Sequence, residues 1–328
     1  MASATGVAVQ GAGRLGSLRK GMRLPLLAAP MFLVSGPDLV IAACRAGIGG
    51  SFPAPNARTI EILDEWLARV VRETAAAAEA APGSVGPWSL NLVTHSSYDR
   101  LGAELELVDR HRPPLVITAL GSPKPVVDRV HAYGGKVFAD VSNLAFARKA
   151  AATGIDGLVL VSAGAGGHTG KISPFAFVDA IRGFWDGIVV LGGSLGSGGA
   201  VRAAELIGAD LAYAGTPFIV AQESLAAQAY RDMVVRASLE DLVLTKTFTG
   251  ADAWYLRESI VAAGLDPDAL VGKDKMDWTN SQGQLKAWKN IWSAGQGVNH
   301  IRGVEPIATI VERYATEYAA ALRQPAFA

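Results

Sequence analysis

The chain has 328 residues, of which half are hydrophobic and 18% are charged, so long disordered regions are not expected. Thirty basic residues balance thirty acidic ones without a basic, aromatic-rich stripe, which argues against a nucleic-acid partner. The single cysteine, Cys44, excludes an internal disulfide and a cysteine-based zinc cluster. No apolar run approaches the roughly 18 residues of a membrane span, and no signal-peptide core is present, which predicts a soluble, cytoplasmic protein.

Eight short apolar runs recur along the chain, and each ends in small or polar residues. Most are rich in Val, Ile and Leu without strict alternation, which is typical of parallel strands covered on both faces. The runs are Leu26–Met31, Gly47–Phe52, Trp88–Val93, Leu115–Leu120, Lys136–Val141, Gly157–Ser162, Ile188–Gly192 and Leu211–Gly215.

Helical patterns separate these runs. The clearest is an apolar face at Ile60–Val71, preceded by capping residues at 56–59. Further helices are predicted at Val126–Val130, Leu144–Thr153, Pro174–Phe184, Ala200–Ile207 and Phe218–Val235. Eight strands alternating with helices predict an α/β fold of the (β/α)8 TIM-barrel type. A doubly wound sheet is the alternative.

The dinucleotide fingerprint of a doubly wound sheet is nearly present at the N-terminus. Gly11–Gly16 fits G-x-G-x-x-G, but only Val7–Val9 precedes it and Pro25 prevents a long helix after it. No acidic residue follows at about 20 positions, where this motif needs one. We therefore interpret the segment as a mobile N-terminal arm.

The last 90 residues contain no recognisable strand pattern. Leu239–Leu270 is predicted to be helical with loops, 272–283 is polar, and Leu285–Trp292 is amphipathic. A closing helix is expected at Pro306–Leu322. These patterns predict a barrel over residues 1–238 and a mostly helical extension over 239–328 that covers the barrel mouth.

The most informative segment follows the sixth run, where Gly164-Ala165-Gly166-Gly167-His168-Thr169-Gly170 ends a strand. Glycines there let backbone N–H groups approach a ligand closely, and a histidine can move a proton or hold an anion. The segment fails the P-loop pattern, because Ala165 replaces a glycine and Ile172 replaces Ser or Thr. A tight turn with a capping histidine is the structural alternative.

In barrels of this class the active site lies at the C-terminal ends of the strands. Glycine turns after the seventh and eighth strands commonly bind phosphate, and a histidine after the sixth implies a phosphate-bearing cofactor across the mouth. Flavin mononucleotide (FMN) fits this span, whereas a phosphorylated substrate without a cofactor is the alternative. No lysine ends a strand to form a Schiff base, and no side-chain cluster suggests a metal site. The candidate residues at strand ends are Ala29, Pro30, Met31, Asn91, Asp140, Gly192, Gly193, Ser194, Gly215 and Thr216.

Several of these pieces together resemble the nitronate monooxygenase family, formerly called 2-nitropropane dioxygenases. The matching motifs are Ala29-Pro30-Met31, Gly166-Gly167-His168-Thr169-Gly170, Gly192-Gly193, Gly208-Ala209-Asp210, Gly215-Thr216-Pro217-Phe218, Glu223-Ser224 and Ser293-Ala294-Gly295-Gln296-Gly297. The resemblance implies an FMN-dependent barrel that oxidises alkyl nitronates with O2 to a carbonyl compound and nitrite. It also implies a small-molecule substrate and is compatible with a homo-oligomer.

The resemblance also implies roles for individual residues. Met31 and Asn91 would lie by the flavin, His168 would face the substrate, and Gln296 would come from the lid. The phosphate would be held by Gly192, Gly193, Ser194, Gly215 and Thr216. Pro217 departs from the family pattern, where arginine usually follows Gly-Thr, so some phosphate contacts are in question. Asp140 could approach the flavin or be a solvated loop carboxylate.

One rival function uses the same barrel. FMN-dependent enoyl-acyl-carrier-protein reductases and quinone reductases carry a similar glycine–histidine segment and reduce their flavin with NAD(P)H. His95, after the third run, is a weaker candidate for the mouth. Trp278, Trp288 and Trp292 would either shield the flavin or pack within the extension.

Overall fold

Eight parallel strands close into a barrel in the computed structural model, which describes residues 13–272 and 291–325. The predicted (β/α)8 fold is therefore confirmed. The strands lie at β1 (Leu26–Ala28), β2 (Gly49–Pro53), β3 (Trp88–Val93), β4 (Leu115–Ala119), β5 (Lys136–Val141), β6 (Gly157–Val161), β8 (Ile188–Gly192) and β9 (Leu211–Ala214). Between β6 and β8 lies β7 (Gly167–His168), which is not part of the barrel.

Helices surround the barrel and cover the apolar outer face of its strands. They are α1 (Pro37–Arg45), α2 (Ile60–Ala80), α3 (Leu101–His111), α4 (Lys124–Ala132), α5 (Leu144–Ala151), α6 (Pro174–Arg182), α7 (Gly198–Leu206), α8 (Thr216–Ile219), α9 (Gln228–Arg236), α10 (Arg257–Ala262) and α11 (Ile307–Leu322). Thr59 caps α2 as expected, because its hydroxyl accepts from Ile62 N–H. Within the described residues, no helix is long and apolar enough to cross a membrane.

The barrel interior is filled by inward-facing side chains from alternate positions of the strands. Leu27, Ile117, Phe138, Val159 and Val190 belong to this inner cluster and are almost fully buried. Because a strand turns successive side chains to opposite faces, the residue two positions further along also points inward. This alternation carries the side chains of the last strand residues into the mouth.

The N-terminal segment closes the other end of the barrel. Leu15 and Leu18 are buried within the inner cluster, and Arg14 forms an ion pair of 2.8 Å with the buried Asp210 at the start of β9. The prediction of a mobile arm is therefore wrong for residues 13–19. These leucines find their apolar partners on strands far along the chain, which a local motif does not show.

The closing helix α11 completes the barrel wall, and its predicted position is confirmed. It packs against α7 and α1, which is the place of the eighth helix in a barrel of this type. Ile307, Ile310 and Val311 are fully buried in the main core. Gly198 permits close packing, since an added Cβ would lie 2.4 Å or less from the backbone of α11. The division of the chain at residue 238 stays a prediction.

The extension also contains a β-hairpin, so the expectation of helices and loops over 239–270 is wrong in this part. Strands β10 (Leu242–Thr245) and β11 (Ala253–Leu256) pair antiparallel, and β11 pairs with β7. Short apolar runs fit a helix and a strand equally well, and here distant pairing decides between them.

The structure also bears on two other helices predicted from the sequence. The helix predicted at Phe218–Val235 is in fact α8 and α9, separated by an irregular segment at 220–227. Its Glu223 carboxylate accepts a hydrogen bond from Ile307 N–H at the start of α11, at 3.0 Å. The amphipathic stretch predicted at 285–292 lies mostly outside the described residues, as do Trp278 and Trp288.

Candidate functional site

The ends of β1 and β9 meet at the mouth of the barrel. A Cβ added to Gly215 would lie 3.4 Å from Met31 Sδ and 3.7 Å from Ala29 Cβ. Asn56 fixes the loop after Pro30, because its amide donates to Met31 O at 2.9 Å. The structure therefore brings the predicted Ala29–Met31 segment beside the glycine turn after β9, and half-buries Met31.

Asn91 points into the barrel from β3. Its side chain is buried, and its Nδ2 donates to Ile117 O on β4 at 3.2 Å. That contact uses one of the two amide protons and none of the acceptor capacity of the amide oxygen. Asn91 can therefore contact a ligand in the mouth while it stays fixed to the barrel.

Three chain segments form a glycine cradle at the opposite side of the mouth: 164–167 after β6, 192–194 at the end of β8, and 294–296 in the extension. Gly164 O accepts hydrogen bonds from Gln296 N at 2.9 Å and from Ser194 N at 3.4 Å. Ser194 Oγ also donates to Gln296 Oε1 at 3.2 Å. The predicted lid residue Gln296 thus contacts the predicted phosphate turn directly.

Close approach of backbone explains the glycines of this cradle. A Cβ on Gly166 would lie 2.7 Å from Gly295 N, and Gly295 N donates to Thr216 Oγ1 at 2.8 Å. Gly193 has φ +125°, and an added Cβ would lie 2.9 Å from Ala163 O. Side chains at these positions would clash with the neighbouring segment, so glycine allows the three segments of the cradle to pack this closely.

Ser194 adds backbone strain to the same turn. Its φ is +59°, in the left-handed region that residues other than glycine rarely adopt. Such strain persists only where the surrounding structure fixes it, and it concentrates at ligand sites. Here the Gly164 and Gln296 contacts supply that restraint.

His168 lies at the edge of the mouth on β7, where it pairs with Ala253 of the hairpin. Its Nε2 lies 3.1 Å from Thr249 Oγ1, a residue that sequence reasoning missed because the hairpin was not predicted. Burial lowers the pKa of His168 to about 4. The imidazole is therefore neutral at neutral pH and suits a base or a neutral hydrogen-bond donor better than a cationic anion clamp.

Thr249 Oγ1 also contacts the backbone of Ala251, at 3.3 Å from its carbonyl oxygen. The hydroxyl is therefore held between the hairpin loop and the His168 ring.

Asp140 and Tyr213 lie at the inner wall of the mouth. Each is the penultimate residue of its strand, β5 or β9, two positions after an inner-cluster residue, Phe138 or Leu211. Asp140 Oδ1 and the Tyr213 hydroxyl are buried and have no hydrogen-bond partner among the described residues. Burial raises the pKa of Asp140 to about 7. The sequence had suggested Asp140 but not Tyr213, although the alternation after Leu211 could have indicated it.

Two other candidates have local roles. His95 contacts Ser97 in its own loop, with Nδ1 and Oγ 2.7 Å apart. Trp292 of the extension stacks on Tyr230 of α9 at a centroid distance of 5.1 Å, which supports core packing for this tryptophan.

Two polar groups at the mouth fit a ligand with polar ring atoms. Asp140 Oδ1 and the Tyr213 hydroxyl are buried and have no hydrogen-bond partner among the described residues. A flavin ring carries oxygen and nitrogen atoms that could supply those partners. Pro217 adds no cation to the glycine turn after β9.

Comparison with known proteins supports this assignment. The family model for nitronate monooxygenase matches residues 18–313. A nitronate monooxygenase of Paraburkholderia phytofirmans is 25% identical over 295 residues, covering 75% of this chain and 77% of the relative.

Two solved structures share the fold. One is a nitroalkane oxidase from Streptomyces ansochromogenes, with a TM-score of 0.73 and 22% identity, covering 92% of this chain and 98% of the other. The other is FabK from Thermotoga maritima, with a TM-score of 0.75 and 20% identity, covering 94% and 96%. Because the family model spans most of the chain and the mouth carries the family's glycine–histidine segment, this protein belongs to the nitronate monooxygenase family and is a flavin-dependent oxidoreductase.

Proposed function

We propose that the protein uses FMN to oxidise alkyl nitronates with O2, giving a carbonyl compound and nitrite. The observation that carries this proposal is the neutral, half-buried His168, held by Thr249 directly after the glycine cradle. A neutral base beside a flavin site suits a substrate that is a carbon acid or its anion.

In this proposal the glycine cradle holds the FMN phosphate. Gly192, Gly193 and Ser194 approach it from β8, and Gly215 and Thr216 approach it from β9. Met31, Asn91 and Asp140 would contact the flavin ring, and Gly166, Gly167 and Gln296 would line the cofactor site beside them. When bound, the flavin accepts electrons from the substrate and passes them to O2.

His168 is the residue that we assign to the transfer of the substrate α-proton. A neutral nitroalkane must lose its α-proton before it becomes a nitronate, and the uncharged imidazole of His168 can accept that proton. A preformed nitronate needs no base, so His168 then only donates or accepts a hydrogen bond. Thr249 keeps the ring in one orientation for either task.

Anaerobic mixing tests the reaction class. Purified protein carrying FMN is mixed separately with a nitronate and with NADH, and the visible absorbance of the flavin is followed. We expect bleaching by the nitronate but not by NADH. Bleaching by NADH alone would instead support the NAD(P)H-dependent FMN reductase of the same barrel. The cytoplasmic location and a homo-oligomeric state stay predictions.

A further inference from the structure

Two buried polar groups at the mouth, Asp140 Oδ1 and the Tyr213 hydroxyl, lack hydrogen-bond partners among the described residues. The two side chains are nevertheless close enough to affect each other electrostatically. The charge of Asp140 raises the pKa of the Tyr213 phenol, in addition to the larger effect of burial. Tyr213 lies against the end of β8, since a Cβ added to Gly192 would lie 3.4 Å from its ring Cδ1. The side chain therefore lies beside the glycine at which the cradle begins.

Neither group has a structural task that the described residues reveal. Other buried tyrosines of the chain use their hydroxyls: Tyr314 donates to Leu195 O at 2.7 Å and Tyr230 to Ser293 O at 2.6 Å. Leaving a buried donor or acceptor unsatisfied costs free energy, so such groups are rare unless a ligand completes them. Both Asp140 Oδ1 and the Tyr213 hydroxyl belong to this rare class.

We infer that Asp140 and Tyr213 form a hydrogen-bonding floor for the flavin ring, on which a protonated carboxyl and a phenol donate to ring oxygen or nitrogen acceptors. The inference rests on the proposed FMN binding. We assign the two side chains to the flavin ring and not to the substrate, because both extend from the barrel interior beneath the mouth. His168, by contrast, approaches the mouth from the edge formed by β7 and the hairpin.

The burial of this pair also explains how a carboxylic acid can donate a hydrogen bond to the flavin ring. A buried carboxylate would bring its negative charge towards an electron-rich ring, but burial keeps the acid protonated over a wider pH range than a solvated one. A protonated carboxyl has an O–H donor, and so does the phenol. Below about pH 7 this arrangement gives the ring two neutral donors, one from β5 and one from β9.

The test separates stability from cofactor binding. Tyr213→Phe and Asp140→Leu each remove a polar group that the flavin-free protein leaves unsatisfied. We expect the melting temperature of the flavin-free variants to rise by about 2 °C. The dissociation constant for FMN, measured by fluorescence titration, should rise by about 3- to 10-fold for each lost hydrogen bond.

Tyr133→Phe is the matched control. Its hydroxyl donates to Pro113 O at 3.0 Å at the other end of the barrel, so its loss should lower the melting temperature and leave FMN affinity unchanged. The inference is overturned if Tyr213→Phe and Asp140→Leu both bind FMN like wild type, or if Tyr213→Phe is destabilised as Tyr133→Phe is. Wild-type protein that binds no FMN would instead refute the proposed function itself.

Discussion

Replacing Thr249 with valine should separate the positioning of His168 from the rest of the site. Valine has nearly the shape of threonine but cannot form the hydrogen bond that joins Thr249 Oγ1 and His168 Nε2 at 3.1 Å. A buried donor or acceptor left unsatisfied costs about 1–3 kcal/mol. If that cost falls on the orientation of the base, each 1.36 kcal/mol is a factor of ten, and turnover should fall by about 5- to 150-fold.

The assay is oxygen uptake with a neutral nitroalkane and, separately, with its preformed nitronate. We expect a large loss of kcat with the nitroalkane, a smaller loss with the nitronate, and little change in KM for either. Thr249→Ser keeps the hydroxyl and serves as the control, so its activity should stay near wild type. Equal rates for Thr249→Val, Thr249→Ser and the wild-type enzyme would refute the positioning argument.

Three further predictions concern the cofactor site and its protons. His168→Ala should retain FMN but lose turnover by about 10²- to 10⁴-fold, with a larger loss for nitroalkane than for nitronate in oxygen-uptake assays; full activity on both substrates would exclude a role as base. Gly193→Asp should weaken FMN binding more than Gly193→Ala, the control that shares the backbone strain at φ +125°. The aspartate places a second negative charge near the phosphate, and at about 4 Å this repulsion costs about 1–4 kcal/mol. Equal FMN affinity in the two variants would place the phosphate elsewhere. Burial raises the pKa of Asp140 from 3.8 to about 7, so its contribution to the free energy of unfolding is present below pH 3.8 and is lost as the pH rises to about 7. Asp140→Asn should therefore flatten this part of the plot of unfolding free energy against pH, measured by urea unfolding. A plot with the wild-type slope would contradict the shift.

The barrel was predictable because its signals are local. Most strands are short apolar runs rich in Val, Ile and Leu and bounded by small or polar residues, and each of these patterns lies within one stretch of chain. The strand ends therefore located the mouth, including Met31, Asn91 and Gly215. The hairpin was missed because its two strands have only four residues each, and such short apolar runs fit a helix and a strand equally well.

Two site residues were missed for related reasons. Thr249 acts through a contact between the extension and β7, which no spacing in the sequence reveals. Tyr213 lies inside the predicted run Leu211–Gly215, where only Gly215 and the following Thr216 were predicted as site residues. Its inward direction follows from the alternation with Leu211, which makes Tyr213 the last inward position of the strand.

The place of α11 in the barrel wall has a consequence for the order of folding. This helix packs against α1, more than 260 residues earlier in the chain, so the ring of helices stays open until residues 307–322 have been synthesised. Contacts between such distant segments slow folding, and incomplete barrels expose apolar surface on the way. The part of the main core that α11 supplies, from Ile307 to Ala315, is then the last to be synthesised. A chain that stops before α11 should therefore depend on chaperones, rather than behave as a barrel that has merely lost its cover.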